Sequence, residues 1–180
     1  MKALQEIGWR RAARYGFVTL AMVPYRLALF PPLRSAWLGL LGARIGPQSI
    51  VHAARFINLD RRGLPGLAIG RDCFVGDDCV LDLAEGIELG DQVTLAAGAM
   101  VLTHLNVGYR DHPLQASFPP VAAPVVVESG CFVGARALIL PGRRIGACSF
   151  VASGSVVTED VEPHSLVAGA PARLVRKLPS

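Results

Sequence analysis

The chain has 180 residues, of which 52% are hydrophobic, 18% are charged and 7% are aromatic. This composition excludes a disordered chain, which would be poorer in apolar residues and richer in charge. No apolar run reaches the ~18 residues expected of a membrane-spanning helix. The charge is uneven: residues 1–62 hold ten Lys/Arg and two Asp/Glu, whereas the remainder holds eight and twelve. A nucleic-acid-binding protein would usually show a basic stripe interleaved with side chains that read bases. The sequence shows no such stripe, which argues against a nucleic-acid partner.

Short helices are predicted first along the chain. Residues 15–30 are mostly apolar and follow three arginines. This superficially resembles a signal peptide, but Pro24 and Arg26 interrupt the run and no convincing cleavage site follows. We expect two short helices with Pro24 as the breaker and Pro31-Pro32 as the stop, and a third helix over 33–41. These helices either pack on the main domain or a neighbouring subunit, or lie on a membrane surface with arginines towards lipid headgroups.

A six-residue repeat dominates the rest of the chain. Ile, Leu or Val stands first in thirteen hexads, and Gly, Ala, Asp or Glu follows at ten of them. The thirteen first residues are Ile69, Val75, Leu81, Ile87, Leu89, Leu95, Val101, Val127, Val133, Ile139, Ile145, Val151 and Val157. An earlier block, Ile45-Gly46 and Val51-His52, begins the same pattern.

This period fits neither an α-helix nor an ordinary hairpin. Each hexad would form a short flat strand and a corner, and three hexads would close one triangular coil with the first and fifth residues inward. The fifth residue must then be small, which holds for Cys73, Cys79, Val93, Ala99, Cys131, Ala137, Ser149 and Ser155. Arg143 breaks the rule, and we expect it at a corner. Coils would stack about 4.8 Å apart, with the N-terminal helices and the C-terminal tail capping the open ends.

The hexads resemble the left-handed β-helix of the hexapeptide-repeat acyltransferases, over roughly residues 40–177. The most specific part, residues 125–178, contains Ser153-Gly154-Ser155-Val156-Val157-Thr158 and Gly169-Ala170-Pro171-Ala172-Arg173. It is similar to the C-terminal part of galactoside, maltose, nodulation-factor and polysaccharide O-acetyltransferases of bacteria.

The resemblance implies an all-β solenoid, a left-handed parallel β-helix of hexapeptide repeats with N-terminal helices and one extruded loop. We expect a helical segment over 1–42 and an acyltransferase domain over 43–178, with the loop at 102–124 and a C-terminal cap. The implied activity is acetyl-CoA-dependent transfer of an acetyl group to a hydroxyl of a sugar or glycan, with no metal required. A homotrimer is implied as well, because family members place the active site between two subunits.

The extruded loop is where the catalytic base is expected, because loops on rigid scaffolds commonly carry function. The family keeps its catalytic His at the start of this loop, after a hexad and a Thr, and Thr103-His104 matches that place. Histidine suits a general base because its ordinary pKa lies near neutrality. His112 is the alternative base, whereas His52 and His164 are interpreted as structural.

The resemblance also implies the other site residues. Positions that match those lining the pantetheine arm of CoA are Phe132, Ala135, Ser153 and Thr158, and positions that match its nucleotide end are Arg173, Arg176 and Lys177. Relatives often have Ser in place of Ala135, so one hydroxyl contact to the pantetheine would be missing. The acceptor pocket near His104 would draw on Asp60, Asp82, His112 and Phe118.

The implied mechanism is direct transfer, with His104 as the base and a backbone N–H near Gly134-Ala135 as the oxyanion donor. A covalent acyl-cysteine is the competing mechanism. Against it, three of the four cysteines fall on inward positions and Cys148 has no nearby His in the sequence. The cysteine spacings match no zinc framework.

Three other functions stay open: an N-acetyltransferase of a nucleotide-linked amino sugar, a γ-class carbonic anhydrase and a non-catalytic scaffold with the same repeat. The carbonic anhydrase needs three converging His ligands, and the four histidines do not show that spacing. We expect a cytoplasmic protein, or one at the inner face of the membrane, with residues 1–42 as the segment that would touch lipid.

Overall fold

The computed structural model describes residues 8–179, and within this range three helices precede nineteen short strands. The helices are α1 (Trp9–Ala21), α2 (Val23–Leu27) and α3 (Pro31–Leu40). The three predicted helices are present: the first two separate at Met22, just before Pro24, and the second ends before Pro31-Pro32. Pro24 and Pro31-Pro32 also lie in the first turns of α2 and α3. Proline is favoured there because the first helical N–H groups have no partner in the helix and the fixed φ suits a helix start.

The strands form three parallel sheets that the chain visits in rotation. The first sheet holds β1 (Arg44–Ile45), β4 (Leu67–Ile69), β7 (Ile87–Leu89), β12 (Val125–Val127) and β15 (Arg144–Ile145). The second holds β2 (Ile50–Val51), β5 (Phe74–Val75), β8 (Thr94–Leu95), β13 (Phe132–Val133), β16 (Phe150–Val151) and β18 (Ser165–Gly169). The third holds β3 (Arg55–Ile57), β6 (Val80–Asp82), β9 (Met100–Val101), β14 (Leu138–Ile139) and β17 (Val156–Val157).

This rotation makes a three-sided parallel β-helix of five stacked coils. Equivalent residues pair from coil to coil, and Val51, Val75, Leu95, Val133 and Val151 form one such row. The strands are only two or three residues long because the chain turns a corner after each hexad. Between β9 and β12 the chain leaves the coils and forms an antiparallel pair, β10 (His104–Leu105) with β11 (Val121–Ala122). The expected loop therefore starts as a small hairpin.

The interior confirms the hexad pattern. All thirteen first residues are at most 4% exposed, and the eight small residues at the fifth position are at most 2% exposed. Arg143 lies in the turn before β15, where its guanidinium donates to the carbonyl oxygens of Pro141 and Thr158. The core is thus a column of aliphatic side chains, with Cys, Ala, Val and Ser where the corners leave little room.

Both ends of this column are covered within the described part of the chain. At the first coil, α3 packs on β1 and β2 and buries Leu38 completely. The hydroxyl of Tyr25 in α2 donates to the carbonyl oxygens of His52 and Ala54, at 2.9 and 3.0 Å. At the other end, β19 (Ala172–Lys177) folds back antiparallel on β18. Each cover satisfies an edge that would otherwise expose unpaired backbone groups.

The closeness of the coils makes a specific prediction at Gly70. A Cβ at this position would lie 2.6 Å from the carbonyl carbon of Gly90 in the next coil, so the backbone would have to move. We expect Gly70→Ala to lower the free energy of unfolding by about 1–3 kcal/mol, the usual cost of overpacking. Denaturant unfolding followed by circular dichroism measures this change.

The matched control is Gly39→Ala in α3, where a Cβ would meet nothing within 4 Å. Because Ala is the better helix former, this variant should gain about 0.5–1 kcal/mol. Equal effects of the two substitutions would contradict the stacking argument.

Candidate functional site

Three insertions leave the coils at one corner, where the chain passes from the third sheet to the first. They are residues 58–66, which include a 3-10 turn at Leu64–Gly66, residues 83–86, and residues 102–124. They stack above one another because Ile57 pairs with Asp82 and Leu81 pairs with Val101 across the third sheet. Polar residues that are far apart in the sequence therefore meet at this corner.

Asp82 is the buried centre of this corner. Its side chain is 1% exposed, and its Oδ1 accepts hydrogen bonds from Asn58 Nδ2 at 2.7 Å and from the Ala84 N–H at 3.1 Å. Its Oδ2 accepts from the Thr103 N–H at 3.1 Å. Buried polar groups are costly unless they are hydrogen-bonded, and these three donors meet that need.

Thr103 explains why a threonine precedes the histidine. Its hydroxyl donates to the carbonyl oxygen of Asp82 at 2.7 Å and accepts from the Glu85 N–H at 2.9 Å. Thr103 is completely buried. Thr103, at the start of the extruded loop, is therefore fixed to both Asp82 and Glu85. These contacts also fix the backbone position of His104, the next residue.

His104 lies at the start of β10, with Nδ1 3.8 Å from Asp82 Oδ2. Its side chain is 27% exposed, so solvent and ligands reach the ring. Partial burial lowers the pKa of His104 below its ordinary value of 6.5; Asp82 opposes this shift, and Arg61 and Arg11 add to it. The ring is therefore mainly neutral at pH 7, the form that a general base requires.

Asp60 lies on the same side of the molecule and pairs with Arg11 of α1, 49 residues away in the sequence. The sequence predicts Asp60 as an acceptor residue, and the structure places its carboxylate in this ion pair. Three residues that the sequence analysis missed also belong here: Asn58, Arg11 and Arg61. Only the uneven charge of the chain, concentrated in residues 1–62, hinted at the two arginines.

His112 and Phe118 lie farther out in the extruded loop. The His112 N–H donates to Tyr109 O at 2.9 Å, and its Nδ1 accepts from the Leu114 N–H at 3.2 Å. Phe118 is 59% exposed. The described contacts of His112 thus stay within the loop, so the structure pairs His104, not His112, with a buried carboxylate.

The residues predicted to meet the pantetheine arm are spread over the second sheet and two corners of the coils. Ala135 and Ser153 occupy the same corner in successive coils, where the Gly154 N–H donates to Ala135 O at 2.9 Å. Phe132 stacks on Phe150 with ring centroids 4.7 Å apart. Thr158 lies after β17, at the next corner. Ala135 and Ser153 have small side chains, and a Cβ at Gly154 beside them would meet nothing within 4 Å, so this corner is open.

The predicted nucleotide-end residues all belong to β19. Arg173 pairs with Glu159 at 3.2 Å. Arg176 donates to Lys177 O at 3.5 Å, and Lys177 Nζ donates to Ser165 Oγ at 3.0 Å. Arg173 and Lys177 lie at opposite ends of this strand, since they pair with Ala168 and Ser165 of β18. These groups therefore form a basic edge and not one closed pocket within this chain.

One expectation about the oxyanion donor needs correction. The Gly134 N–H donates to Val151 O at 2.8 Å, because it is part of the ladder between coils. Gly134 is therefore not available to an oxyanion, and Ala135 is left as the backbone candidate of that pair.

The cysteines show the expected inward placement. Cys73, Cys79 and Cys131 are buried and Cys148 is exposed. Burial raises the pKa of Cys131 to about 11, which disfavours the nucleophilic thiolate.

Within residues 8–179, no three His, Cys, Asp or Glu side chains come together as metal ligands would. None of the helices in this range has the length and apolar character needed to cross a membrane.

The charges around His104 predict its titration. We expect the His104 ring to titrate below 6.5, and we expect Arg61→Ala to raise its pKa because a positive charge that disfavours the imidazolium is removed. NMR of histidine-labelled protein, with His104→Ala to assign the signal, measures both values.

Arg44→Ala, which removes an exposed arginine of the first sheet, is the matched control and should leave the signal unchanged. A His104 that titrates above 6.5, or a downward shift in Arg61→Ala, would refute this account of the charges.

Comparison with known proteins agrees with this architecture. A family model described as the hexapeptide repeat of succinyl-transferase matches residues 66–103 and 124–159. A 2,3,4,5-tetrahydropyridine-2,6-dicarboxylate N-acetyltransferase of Enterococcus faecalis is 47% identical over 60 residues, which are 33% of this chain and 26% of that protein. The match thus spans about a quarter of that relative's length.

Two solved structures resemble the whole chain. A hexapeptide-repeat acetyltransferase from Vibrio cholerae has a TM-score of 0.81 and 26% identity, covering 96% of this chain and 95% of that one. It has also been solved with acetyl-CoA. A maltose O-acetyltransferase from Clostridium difficile has a TM-score of 0.80 and 22% identity, covering 96% and 90%, and shows the fold alone. With the buried hexads, these findings confirm the predicted resemblance to the hexapeptide-repeat acetyltransferases.

Proposed function

We propose that this chain is an acetyl-CoA-dependent O-acetyltransferase that acts on a hydroxyl of a sugar or glycan. The observation that carries the proposal is the accessible His104 ring, held 3.8 Å from the buried carboxylate of Asp82 at the mouth of the extruded loop. The matched relatives support acetyl transfer, since they are named acetyltransferases. The same relatives support a left-handed sense for the β-helix, as the hexad resemblance implies.

His104 acts as the general base in this proposal. Because Nδ1 faces Asp82, the other ring nitrogen, Nε2, is the one that takes the proton from the acceptor hydroxyl as its oxygen attacks the thioester carbonyl. Asp82 stabilises the imidazolium that forms and fixes the ring orientation. The same nitrogen then returns a proton to the departing thiolate. The Ala135 N–H is the proposed donor to the developing oxyanion.

Acetyl-CoA supplies the acetyl group as a reactive thioester. Its pantetheine arm is proposed to lie along the corner of Ala135 and Ser153, with Phe132 and Thr158 to either side. Arg173, Arg176 and Lys177 are proposed to meet the phosphates, because guanidinium and ammonium groups donate charge-assisted hydrogen bonds to phosphate oxygens. The metal-free character of the reaction follows from the same assignment.

The acceptor is proposed to bind beside His104. Phe118 and His112 of the loop and Asp60 stay proposed acceptor residues, whereas the burial of Asp82 favours an indirect role through His104. An N-acetyltransferase of an amino sugar is the second candidate, and the Enterococcus N-acetyltransferase match favours it. A hydroxyl needs a base more than a neutral amine does, so the Asp82–His104 pair favours O-transfer.

A screen for CoA release tests both candidates. Acetyl-CoA is offered with free sugars, glycosides and nucleotide-linked amino sugars. We expect turnover with a hydroxyl acceptor, and we expect His104→Ala to lower kcat by ~10²–10⁴-fold, the usual contribution of a general base. The melting temperature should change little because His104 lies outside the buried column.

His112→Ala is the matched control, since it removes the other histidine of the same loop, and it should retain near-normal turnover. Near-normal turnover in His104→Ala with loss in His112→Ala would show that the base has been wrongly assigned. Activity only with amino acceptors would favour the second candidate.

The chain is proposed to work as a homotrimer. Outward-facing residues of the second sheet form a row in register that is apolar except at Thr94: Ile50, Phe74, Thr94, Phe132, Phe150 and Leu166. Ile50, Phe74 and Phe150 are 37–42% exposed in the single chain. A three-fold arrangement would cover such a face without leaving an open filament, and would bring the CoA residues of one subunit towards His104 of another.

Light scattering of a dilute sample should therefore give three times the chain mass of 19.1 kDa. Phe74→Glu should shift the mass towards the monomer, because it places a charge in the apolar row. The exposed Arg44→Ala should not. A stable, fully active monomer would contradict the trimer.

The protein is proposed to be cytoplasmic, and residues 1–42 are proposed as the segment that would contact the inner face of the membrane. Trp9, Phe17 and Leu20 of α1 and Leu29 and Phe30 before α3 are strongly exposed. Apolar side chains with nearby arginines suit a lipid surface. Residues 1–7 of the segment lie outside the described residues.

A further inference from the structure

Four arginines surround one carboxylate beside the candidate site. Arg10, Arg11 and Arg14 of α1 and Arg61 of the insertion line an open depression of ≈ 440 Å³ together with Asp60. We name these four residues the arginine cluster. The depression is separate from the basic edge of β19 that is assigned to CoA.

Within residues 8–179, Asp60 is the one acidic residue that lines the depression beside these four arginines. Asp60 pairs with Arg11, whereas Arg10, Arg14 and Arg61 make no side-chain hydrogen bond or ion pair within residues 8–179. Three guanidinium groups thus share a small space with a single, already paired carboxylate. Like charges held this close repel one another, so the arrangement favours an anion that would enter the depression.

The cluster is connected to His104 through a short path of direct contacts. The Arg61 N–H donates to Asn58 O at 3.0 Å, and Asn58 Nδ2 donates to Asp82 Oδ1 at 2.7 Å. Asp82 Oδ2 lies 3.8 Å from His104. Arg61 and Arg11 are also close enough to act on the ring electrostatically, since both lower the pKa of His104. The cluster and the His104 ring therefore lie at the same corner of the coils.

We propose that the arginine cluster binds a phosphate group of the acceptor, so that a hydroxyl of the same molecule is presented to His104. This inference rests on the acetyl transfer proposed above and narrows its acceptor to a phosphorylated sugar or glycan. Phosphate is preferred to a carboxylate because it carries up to two charges and offers three oxygens to several guanidinium forks. The carboxylate of Asp60 pairs with only one of the four arginines, Arg11, so a single carboxylate is a poor match for the whole cluster.

The phosphate has two chemical sources. It belongs either to a soluble nucleotide-linked or phosphorylated sugar, or to a glycan attached through phosphate to a lipid. The second source would place the acceptor at a membrane surface, next to the exposed apolar side chains of α1. In both cases the phosphate contacts the cluster. The two acceptors differ in whether a lipid membrane is also bound.

Binding is tested without acetyl transfer, by calorimetric titration with inorganic pyrophosphate. The wild-type protein and Arg44→Ala should bind it equally, because Arg44 lies on β1 and outside the depression. Arg14→Ala/Arg61→Ala should bind it at least about 10- to 100-fold more weakly, since it loses charge-assisted hydrogen bonds. Arg14→Lys/Arg61→Lys should fall between, because the charge stays and the planar fork is lost.

All variants are first compared by circular dichroism and light scattering, so that a folding defect is not taken for lost binding. Equal pyrophosphate binding in the wild type and the double alanine variant would overturn the proposal, as would no binding at all or tighter binding of glucuronate. If the protein binds pyrophosphate through the cluster but none of the acceptors tested causes CoA release, the proposed function is refuted and the anion site is retained.

Two further arms identify the source of the phosphate. A soluble acceptor is supported if uridine diphosphate displaces pyrophosphate from the protein and the protein does not bind phosphatidylglycerol vesicles. A lipid-linked acceptor is supported if the protein binds phosphatidylglycerol vesicles but not phosphatidylcholine vesicles, and if Arg14→Ala/Arg61→Ala loses that binding. In the acceptor screen, the same double variant should raise KM for the phosphorylated acceptor more than it lowers kcat.

Discussion

The structure depends on the backbone hydrogen bonds that join one coil to the next. Parallel strands lie about 4.8 Å apart, so every corner must fit against the corner above it. The Gly46 N–H donates to Ile69 O, the Gly70 N–H to Leu89 O and the Gly90 N–H to Val127 O, each at 2.8 Å. This ladder leaves no room for a Cβ at Gly70, Gly90 and Gly134, where it would lie within 2.6 Å of the next coil. Extra residues enter where the chain swings outward.

The candidate site follows from this restriction. The three insertions share the corner between the third and the first sheet, so residues from three coils stack at one place. Asn58, Asp82 and Thr103 come from successive coils, and their side chains join in one hydrogen-bonded group. His104 is the first residue beyond this group that solvent reaches. The proposed base is thus held by the coils, although it belongs to the loop.

The sequence predicts most of the coil and less of the site, for a physical reason. A hexad is local, so the inward positions and the loop at residues 102–124 can be derived from spacing, and the proposed base His104 from resemblance. The ion pair of Arg11 and Asp60 joins residues 49 apart, and no period in the sequence links them. The prolines are a local signal as well: Pro24 and Pro31-Pro32 mark where one helix has ended, and each lies in the first turn of the next.

The arginines near His104 have two opposing consequences. Their charge attracts an anion and at the same time disfavours the protonated ring, while Asp82 favours it. In the free protein this balance keeps the base neutral. On the proposal that a phosphate of the acceptor binds the cluster, the bound anion compensates part of the positive charge, and the proton affinity of His104 rises when the hydroxyl arrives. The same contacts that select the acceptor would then prepare the ring to accept its proton, because both effects act through Arg11 and Arg61.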